Sequence, residues 1–194
     1  MQCCNTKDSY GRMSIALHWV IALLVMGMLV VGYVMVFALP EGSDDIEDIM
    51  KFYHASTGLL VLGLMILRLV WSLGFGLPDP APDLERWEAK ASKAVHWGLY
   101  VLLMAMPITG YVMAASGGKE GEPERILPFF APEMVPNLVG LDQDLSELTE
   151  DIHLYLSFVI VAVVAVHMGA ALKHHFILGD GVLARMLPHL EKKD

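Results

Sequence analysis

Charged side chains are scarce in this sequence, and four long stretches of it contain no aspartate or glutamate at all. Only 18% of the 194 residues are charged, whereas 55% are hydrophobic, and the mean hydropathy is +0.52. A water-soluble domain of this length needs more polar surface to cover its core. The composition therefore indicates a protein whose exterior is largely in contact with membrane lipid.

Cysteine is nearly absent as well, because Cys3 and Cys4 are the two in the chain and they are adjacent. They predict no disulfide framework, and the Cys-x-x-Cys-His motif of covalent haem attachment is missing. We interpret the pair as part of a polar tail, with lipid modification or metal contact as the alternative. The net charge of −9 argues against nucleic acid as a partner, since a phosphate backbone is bound by clustered Lys and Arg.

Four apolar stretches are long enough to cross a bilayer, since a helix needs about 20 residues to span ~30 Å of hydrocarbon. Each is bounded by charge, proline or glycine. The four predicted spans are residues 15–39, 54–73, 95–115 and 153–177. The sequence therefore predicts an all-α membrane protein, a single domain built as a bundle of four transmembrane helices.

The basic residues fall mainly on one side of this predicted bundle. Lys51, Lys119 and Arg125 lie in the first and third connections, and the other ten Lys and Arg lie in the termini and around the second connection. By the positive-inside rule, both termini are expected in the cytoplasm of a bacterium, and the loop 116–152 in its periplasm, outside the inner membrane. The first and third connections hold 14 of the 22 acidic residues, so a negative periplasmic face is expected. The apolar piece 126–132 is expected at the membrane surface or over a site.

Histidine is the coordinating residue that these stretches do contain. Besides His174 and His175 at the end of the fourth stretch, five lie in them, at His18, His54, His96, His153 and His167. Ionisable side chains inside a bilayer are costly and are usually functional. His153 and His167 are fourteen residues apart, close to four full turns, so they share a helix face and lie about 21 Å apart along the axis. Two ring-shaped cofactors can therefore be stacked across the membrane, both bound to helix four.

Depth in the bilayer pairs His18 with His167 at the cytoplasmic level and His54 with His153 at the periplasmic level. Neutral imidazole is the axial ligand of a low-spin b haem, and two such ligands on one iron favour electron transfer over oxygen binding. We therefore predict two b haems, each held by one pair. A non-redox, histidine-rich transporter is the alternative from another class, but it predicts Asp or Glu beside His within the spans.

A spacing of fourteen residues also separates the first histidine of helices one, two and three from Gly32, Arg68 and Gly110 respectively. The glycines would let a haem edge approach the backbone, with close helix packing as the alternative, and Gly58 would help to seat a ring. Arg68 would meet a haem propionate, or extend its charge to the interface. His96 would make a helix–helix hydrogen bond, or contact a quinone or a propionate.

Several short motifs follow in a fixed order from about residue 10 to residue 188. They are ALHW at 16–19, HASTG at 54–58, LRLVW at 67–71, HWGLY at 96–100, MPITGY at 106–111 and HHF at 174–176. In this order and spacing the sequence resembles the bacterial cytochrome b561 family. More distantly, it is similar to the di-haem cytochrome b subunits of formate dehydrogenases and nickel–iron hydrogenases.

The resemblance implies a four-helix bundle with two b haems, the four paired histidines as their ligands, and electron exchange with membrane quinone. One activity assigned within that family is superoxide oxidation, in which periplasmic superoxide reduces the outer haem and quinone takes the electron. An anionic substrate needs positive charge around that haem, whereas the outer loops here are acidic, which suits a basic electron-transfer partner. The expected function is electron transfer between a periplasmic donor and quinone; the alternative is an anchor subunit for a dehydrogenase or hydrogenase.

Overall fold

The computed structural model describes residues 2–80, 84–117 and 137–187. Within these ranges the chain is helical and has no β-strand. The long helices are α1 (Arg12–Phe37), α2 (Asp44–Phe75), α3 (Arg86–Ser116) and α4 (Gln143–Lys173). All four are long and apolar enough to cross a membrane, so the predicted all-α membrane bundle is confirmed.

Three of the helices extend well beyond the apolar stretches, at ends that carry helix-starting signals. α2 begins at Asp44, ten residues before His54, with acidic side chains in its first turn that interact favourably with the helix dipole. α4 begins at Gln143, where the Asp142 carboxylate accepts the Leu145 backbone N–H. α3 begins with a capping box formed by Glu85 and its third helical residue. The apolar piece 126–132 lies outside the described residues.

Neighbouring helices along the chain pack against each other, α1 on α2, α2 on α3 and α3 on α4. We call the end of the bundle where α1 and α3 begin the His18 end, and the opposite end, where α2 and α4 begin, the His54 end. A small buried core joins α1 and α2 halfway between these ends. It consists of Ile21, Val25, Val61 and Met65, with partly buried Tyr100, Leu103 and Met104 of α3 against it.

Three chain segments meet at the His18 end around one guanidinium group. Arg185 donates hydrogen bonds to the carbonyl oxygens of Asp79 (2.8 Å) and Asp8 (2.9 Å), and it lies 5.9 Å from the centre of the Tyr10 ring. The Asp79 N–H in turn donates to the Lys7 carbonyl at 2.8 Å. The N-terminal tail, the α2–α3 connection and the segment after α4 are therefore held together by Arg185.

Replacing Arg185 with Gln should loosen this end without unfolding the bundle. Hydrogen bonds that involve a charged group contribute about 1.5–3 kcal/mol each, so we expect amide hydrogen exchange in residues 2–10 and 76–80 to rise by about tenfold or more. Hydrogen exchange with mass spectrometry in detergent measures this directly. The matched control is Arg86→Gln, because Arg86 is exposed and its side chain makes no hydrogen bond with the described residues. Equal exchange in the two variants would contradict the role of Arg185.

Candidate functional site

The structure brings the five transmembrane histidines into two groups, one near each end. At the His18 end, the ring centroids of His18 and His167 are 6.1 Å apart and the ring planes are inclined by 66°. At the other end, the centroids of His54 and His153 are 6.3 Å apart with planes at 68°. These are the two pairs predicted from depth, and both use α4.

The spacing within each pair fits two imidazoles on opposite sides of one metal ion. Metal–imidazole bonds of about 2.0–2.1 Å on opposite sides of an ion put the ring centroids about 6 Å apart. Within the described ranges, no three His, Cys, Asp or Glu side chains gather to hold a bare metal ion. A donor set of two imidazoles per site suits haem, since the porphyrin itself supplies the remaining ligands.

The helix packing keeps the backbone of α4 away from the backbones of α1 and α2 in the described residues. In the part of the chain that the structure describes, α4 packs closely on α3 alone. Contacts between α1 and α4 are made by side chains, such as the Tyr33 hydroxyl, 3.2 Å from the Ser157 hydroxyl. The paired histidines therefore project from α1 and α2 towards a helix whose backbone stays apart from theirs.

Two of the predicted glycines lie directly against histidine rings. A Cβ added to Gly110 would be 3.1 Å from His153 Cε1, closer than side chains normally approach, and one added to Gly32 would be 3.4 Å from His54 Cε1. An added Cβ at Gly58 would instead make ordinary contact with Met28, at 3.6 Å. Gly32 and Gly110 therefore border the His54–His153 pair, and the contact at Gly58 is one of helix packing.

The His153 ring has a hydrogen-bond partner that the sequence analysis did not single out. Its Nδ1 lies 3.0 Å from the Thr109 hydroxyl oxygen, and that hydroxyl donates to the Met106 carbonyl at 2.8 Å. The buried Nδ1 of His54, in contrast, has no partner among the described residues. In the sequence, only the position of Thr109 next to Gly110 pointed to this contact. Whether its hydroxyl reaches a histidine of α4 depends on how α3 and α4 pack.

Arg68 lies at the His18 end and is bonded to α3 rather than extended to the interface. Its Nε donates to the Tyr100 hydroxyl at 3.3 Å, and the Ser72 hydroxyl lies 3.1 Å from the same oxygen. Its charge is within electrostatic range of His18 and His167. Arg68 therefore supplies a fixed cation beside the His18–His167 pair, as a propionate group requires.

His96 lies beside His167 but does not repeat the geometry of the pairs. The two ring centroids are 5.2 Å apart at an interplanar angle of 82°, which is tighter than the spacing of opposed ligands. His96 Nδ1 lies 2.7 Å from the Ser92 carbonyl oxygen. Because a carbonyl only accepts, Nδ1 carries the hydrogen and Nε2 keeps its lone pair. The hydrogen bond of His96 is thus made within α3, and its exposed ring is free to contact a further molecule through Nε2.

His174, directly after α4, is buried and bonded within its own segment. It is 7% exposed, and its Nδ1 donates to the Asp180 carboxylate at 2.5 Å. Lys173 pairs separately with Glu88 at 3.1 Å. The contact between His174 and Asp180 follows from a π-helical turn after α4 that ends at Gly179. The φ of 68° at Gly179 suits glycine and returns Asp180 towards the helix end.

A membrane bundle of four long helices with two histidine pairs between them is typical of a membrane cytochrome of the b type. The chain belongs to the prokaryotic cytochrome b561 family, whose family model matches residues 9–189. It is therefore a haem-b-binding electron-transfer protein and a multi-pass protein of the bacterial inner membrane.

Named relatives match this chain over most of their length. It is 32% identical to cytochrome b561 homolog 2 of Escherichia coli K12, over 94% of this chain and 93% of that protein. It is 30% identical to cytochrome b561 homolog 1 of the same organism, over 93% and 98%. It is 26% identical to a Yersinia pestis protein named probable superoxide oxidase CybB, over 92% and 96%. The match favours electron transfer over the transporter alternative.

Gly110→Ala should disturb bound haem more than Gly32→Ala does, because the added methyl would crowd His153 at 3.1 Å while the one on Gly32 would make ordinary contact with His54 at 3.4 Å. We expect Gly110→Ala to lose a large part of one haem or to shift its low-spin electron paramagnetic resonance signal. Haem content per chain and the g-values measure the two effects. Gly63→Ala is the control, since a Cβ there meets nothing within 4 Å. An unchanged spectrum in Gly110→Ala would show that His153 does not need this clearance.

Proposed function

We propose that the chain holds two b haems, one between His18 and His167 and one between His54 and His153. Through them it transfers electrons between a periplasmic donor and membrane quinone. The observation that carries this proposal is the matched geometry of the two pairs, 6.1 and 6.3 Å between ring centroids. Since both pairs share α4 at a separation of fourteen residues, the sites lie about 21 Å apart along that helix.

Haem, when bound, supplies the one-electron redox chemistry, and the residues of this chain fix its place and surroundings. Each pair of neutral imidazoles would hold one iron, and a haem with two histidine ligands would have no open position for oxygen. The buried core of Ile21, Val25, Val61 and Met65 lies between the two levels. These apolar side chains keep water out of the path between the sites and provide a low dielectric.

The charges at the two ends support an orientation with the His18 end in the cytoplasm. Basic residues concentrate at that end, as the positive-inside rule requires of the cytoplasmic side. The first turns of α2 and α4, at the His54 end, carry acidic residues instead. The proposal therefore places both termini in the cytoplasm and the loop 116–152 in the periplasm.

His96 supports a quinone site at the His18 end. Its ring is exposed, it lies 5.2 Å from the His167 ring, and its Nε2 can accept a hydrogen bond from a quinol hydroxyl. The hydroxyl of Tyr100, held by Arg68 and Ser72, is a second polar group on the same helix. A quinone head group reaching this rim from the lipid would be next to the His18–His167 haem.

Superoxide is the periplasmic donor that the relative from Yersinia pestis suggests through its printed name. The acidic His54 end repels an anion, and Lys51 is already paired with Glu47 at 2.6 Å. Lys119 and Arg125, the other cations of the first and third connections, lie outside the described residues. A basic electron-transfer protein suits the acidic His54 end better than superoxide does. Both are therefore tested as reductants of the haems.

Purified protein should contain about two haem b per chain, because each pair holds one iron. A pyridine haemochrome assay with a protein determination gives the ratio. His18→Ala and His167→Ala should each remove the same haem, and His54→Ala and His153→Ala the other. His175→Ala is the control and should keep both. One haem per chain in the wild type, or loss of different haems within a pair, would refute the assignment.

His96→Leu should slow oxidation of the reduced haems by a water-soluble quinone by about tenfold, the factor that loss of one hydrogen bond of about 1.4 kcal/mol produces. Reduction by the donor should be unchanged. Stopped-flow absorbance, with superoxide or a basic cytochrome as reductant, separates the two half-reactions. The neighbouring Trp97→Leu serves as the control. Equal oxidation rates in the wild type and His96→Leu would exclude a quinone contact at His96.

A further inference from the structure

The segment of α3 between Met106 and Gly110 encloses the His153 ring from one side. Thr109 Oγ1 lies 3.0 Å from His153 Nδ1, and the missing Cβ of Gly110 lets the ring come so close that an added Cβ would be 3.1 Å from Cε1. The Met106 carbonyl receives the Thr109 hydroxyl hydrogen at 2.8 Å. One turn of a neighbouring helix thus determines where this imidazole lies.

The direction of these hydrogen bonds follows from the inventory of donors and acceptors. The hydroxyl of Thr109 has one hydrogen, and the Met106 carbonyl, which can only accept, receives it. Oγ1 is therefore left to accept from the ring, so Nδ1 of His153 carries the hydrogen and Nε2 keeps the lone pair. Nε2 is then the ring atom available to iron.

This arrangement distinguishes His153 from the other three predicted ligands. His54 Nδ1 is buried without a hydrogen-bond partner in the described part of the chain. His18 and His167 contact other rings there and make no hydrogen bond to described residues. A ligand imidazole that donates its second N–H is more basic, and a more basic ligand stabilises the oxidised iron.

We propose that Thr109 is a positioning residue that fixes the tautomer of His153 and lowers the reduction potential of the haem at the His54 end. The proposal rests on the assignment of His54 and His153 as the ligands of that haem. A hydroxyl bonded to a carbonyl of its own helix is common for threonine. Its second role, as acceptor for a histidine of the facing helix, is what sets Thr109 apart.

The test compares Thr109→Val, which keeps the shape and removes the hydroxyl, with Thr109→Ser, which keeps the hydroxyl. A redox titration followed by visible absorbance gives the potential of each haem without any donor or quinone. In Thr109→Val, the ratio of reduced to oxidised haem at the His54 end should rise about tenfold at a fixed applied potential, which is about 59 mV for a one-electron couple. The other haem should not change, and Thr109→Ser should match the wild type.

Three results would overturn the role of Thr109: two unchanged potentials, an equal shift of both haems, or a shift in Thr109→Ser as large as in Thr109→Val. If Thr109→Val loses the haem, Thr109→Cys is measured instead. Sulfur is a weak hydrogen-bond acceptor, so the potential of the haem at the His54 end should be higher in Thr109→Cys than in the wild type. A wild-type potential in that variant also overturns the proposal. Failure of the ligand assignment is distinct, since it appears in the wild type as fewer than two haems.

Discussion

The separation of His153 and His167 on one rigid helix is the constraint on which the rest of the bundle depends. Fourteen residues of α-helix place the two imidazoles about 21 Å apart on one face. Each then needs a partner at its own depth, because an isolated polar group in hydrocarbon is costly. α1 and α2 run in opposite directions, so His18 and His54, although each lies near the start of its apolar stretch, are presented at opposite levels.

The same constraint explains how the helices pack. A ring between two imidazoles needs space, and α4 keeps its backbone close to α3 rather than to α1 or α2 in the described residues. Close contact is concentrated elsewhere, in the core of Ile21, Val25, Val61 and Met65. Where a histidine ring does approach a backbone, as at Gly32 and Gly110, the position is glycine. Packing and site geometry are thus parts of one arrangement.

Much of this was predictable from the sequence because hydropathy and helical periodicity act along a single helix. The four helices, the two histidine pairs and the places of Gly32 and Gly110 follow from counting residues. The contacts of Thr109 and His174 cannot be predicted in this way, because each depends on where another segment of the chain packs against it. His174 needed the turn at Gly179 to meet Asp180. The first turns of α2 and α4 were missed because they are polar, and hydropathy identifies only the membrane-spanning part of a helix.

The two proposed haem sites have the same kind of ligands and different surroundings. At the His18 end, Arg68 places a positive charge within electrostatic range of both ligands, and a cation stabilises the reduced form of a nearby haem. At the His54 end, His153 donates a hydrogen bond to Thr109, which stabilises the oxidised form. The first effect raises the reduction potential at the His18 end, and the second lowers it at the His54 end. Under the proposed assignment, both therefore favour an electron at the His18 end. Such an electron lies beside the exposed ring of His96, where the quinone is proposed to bind.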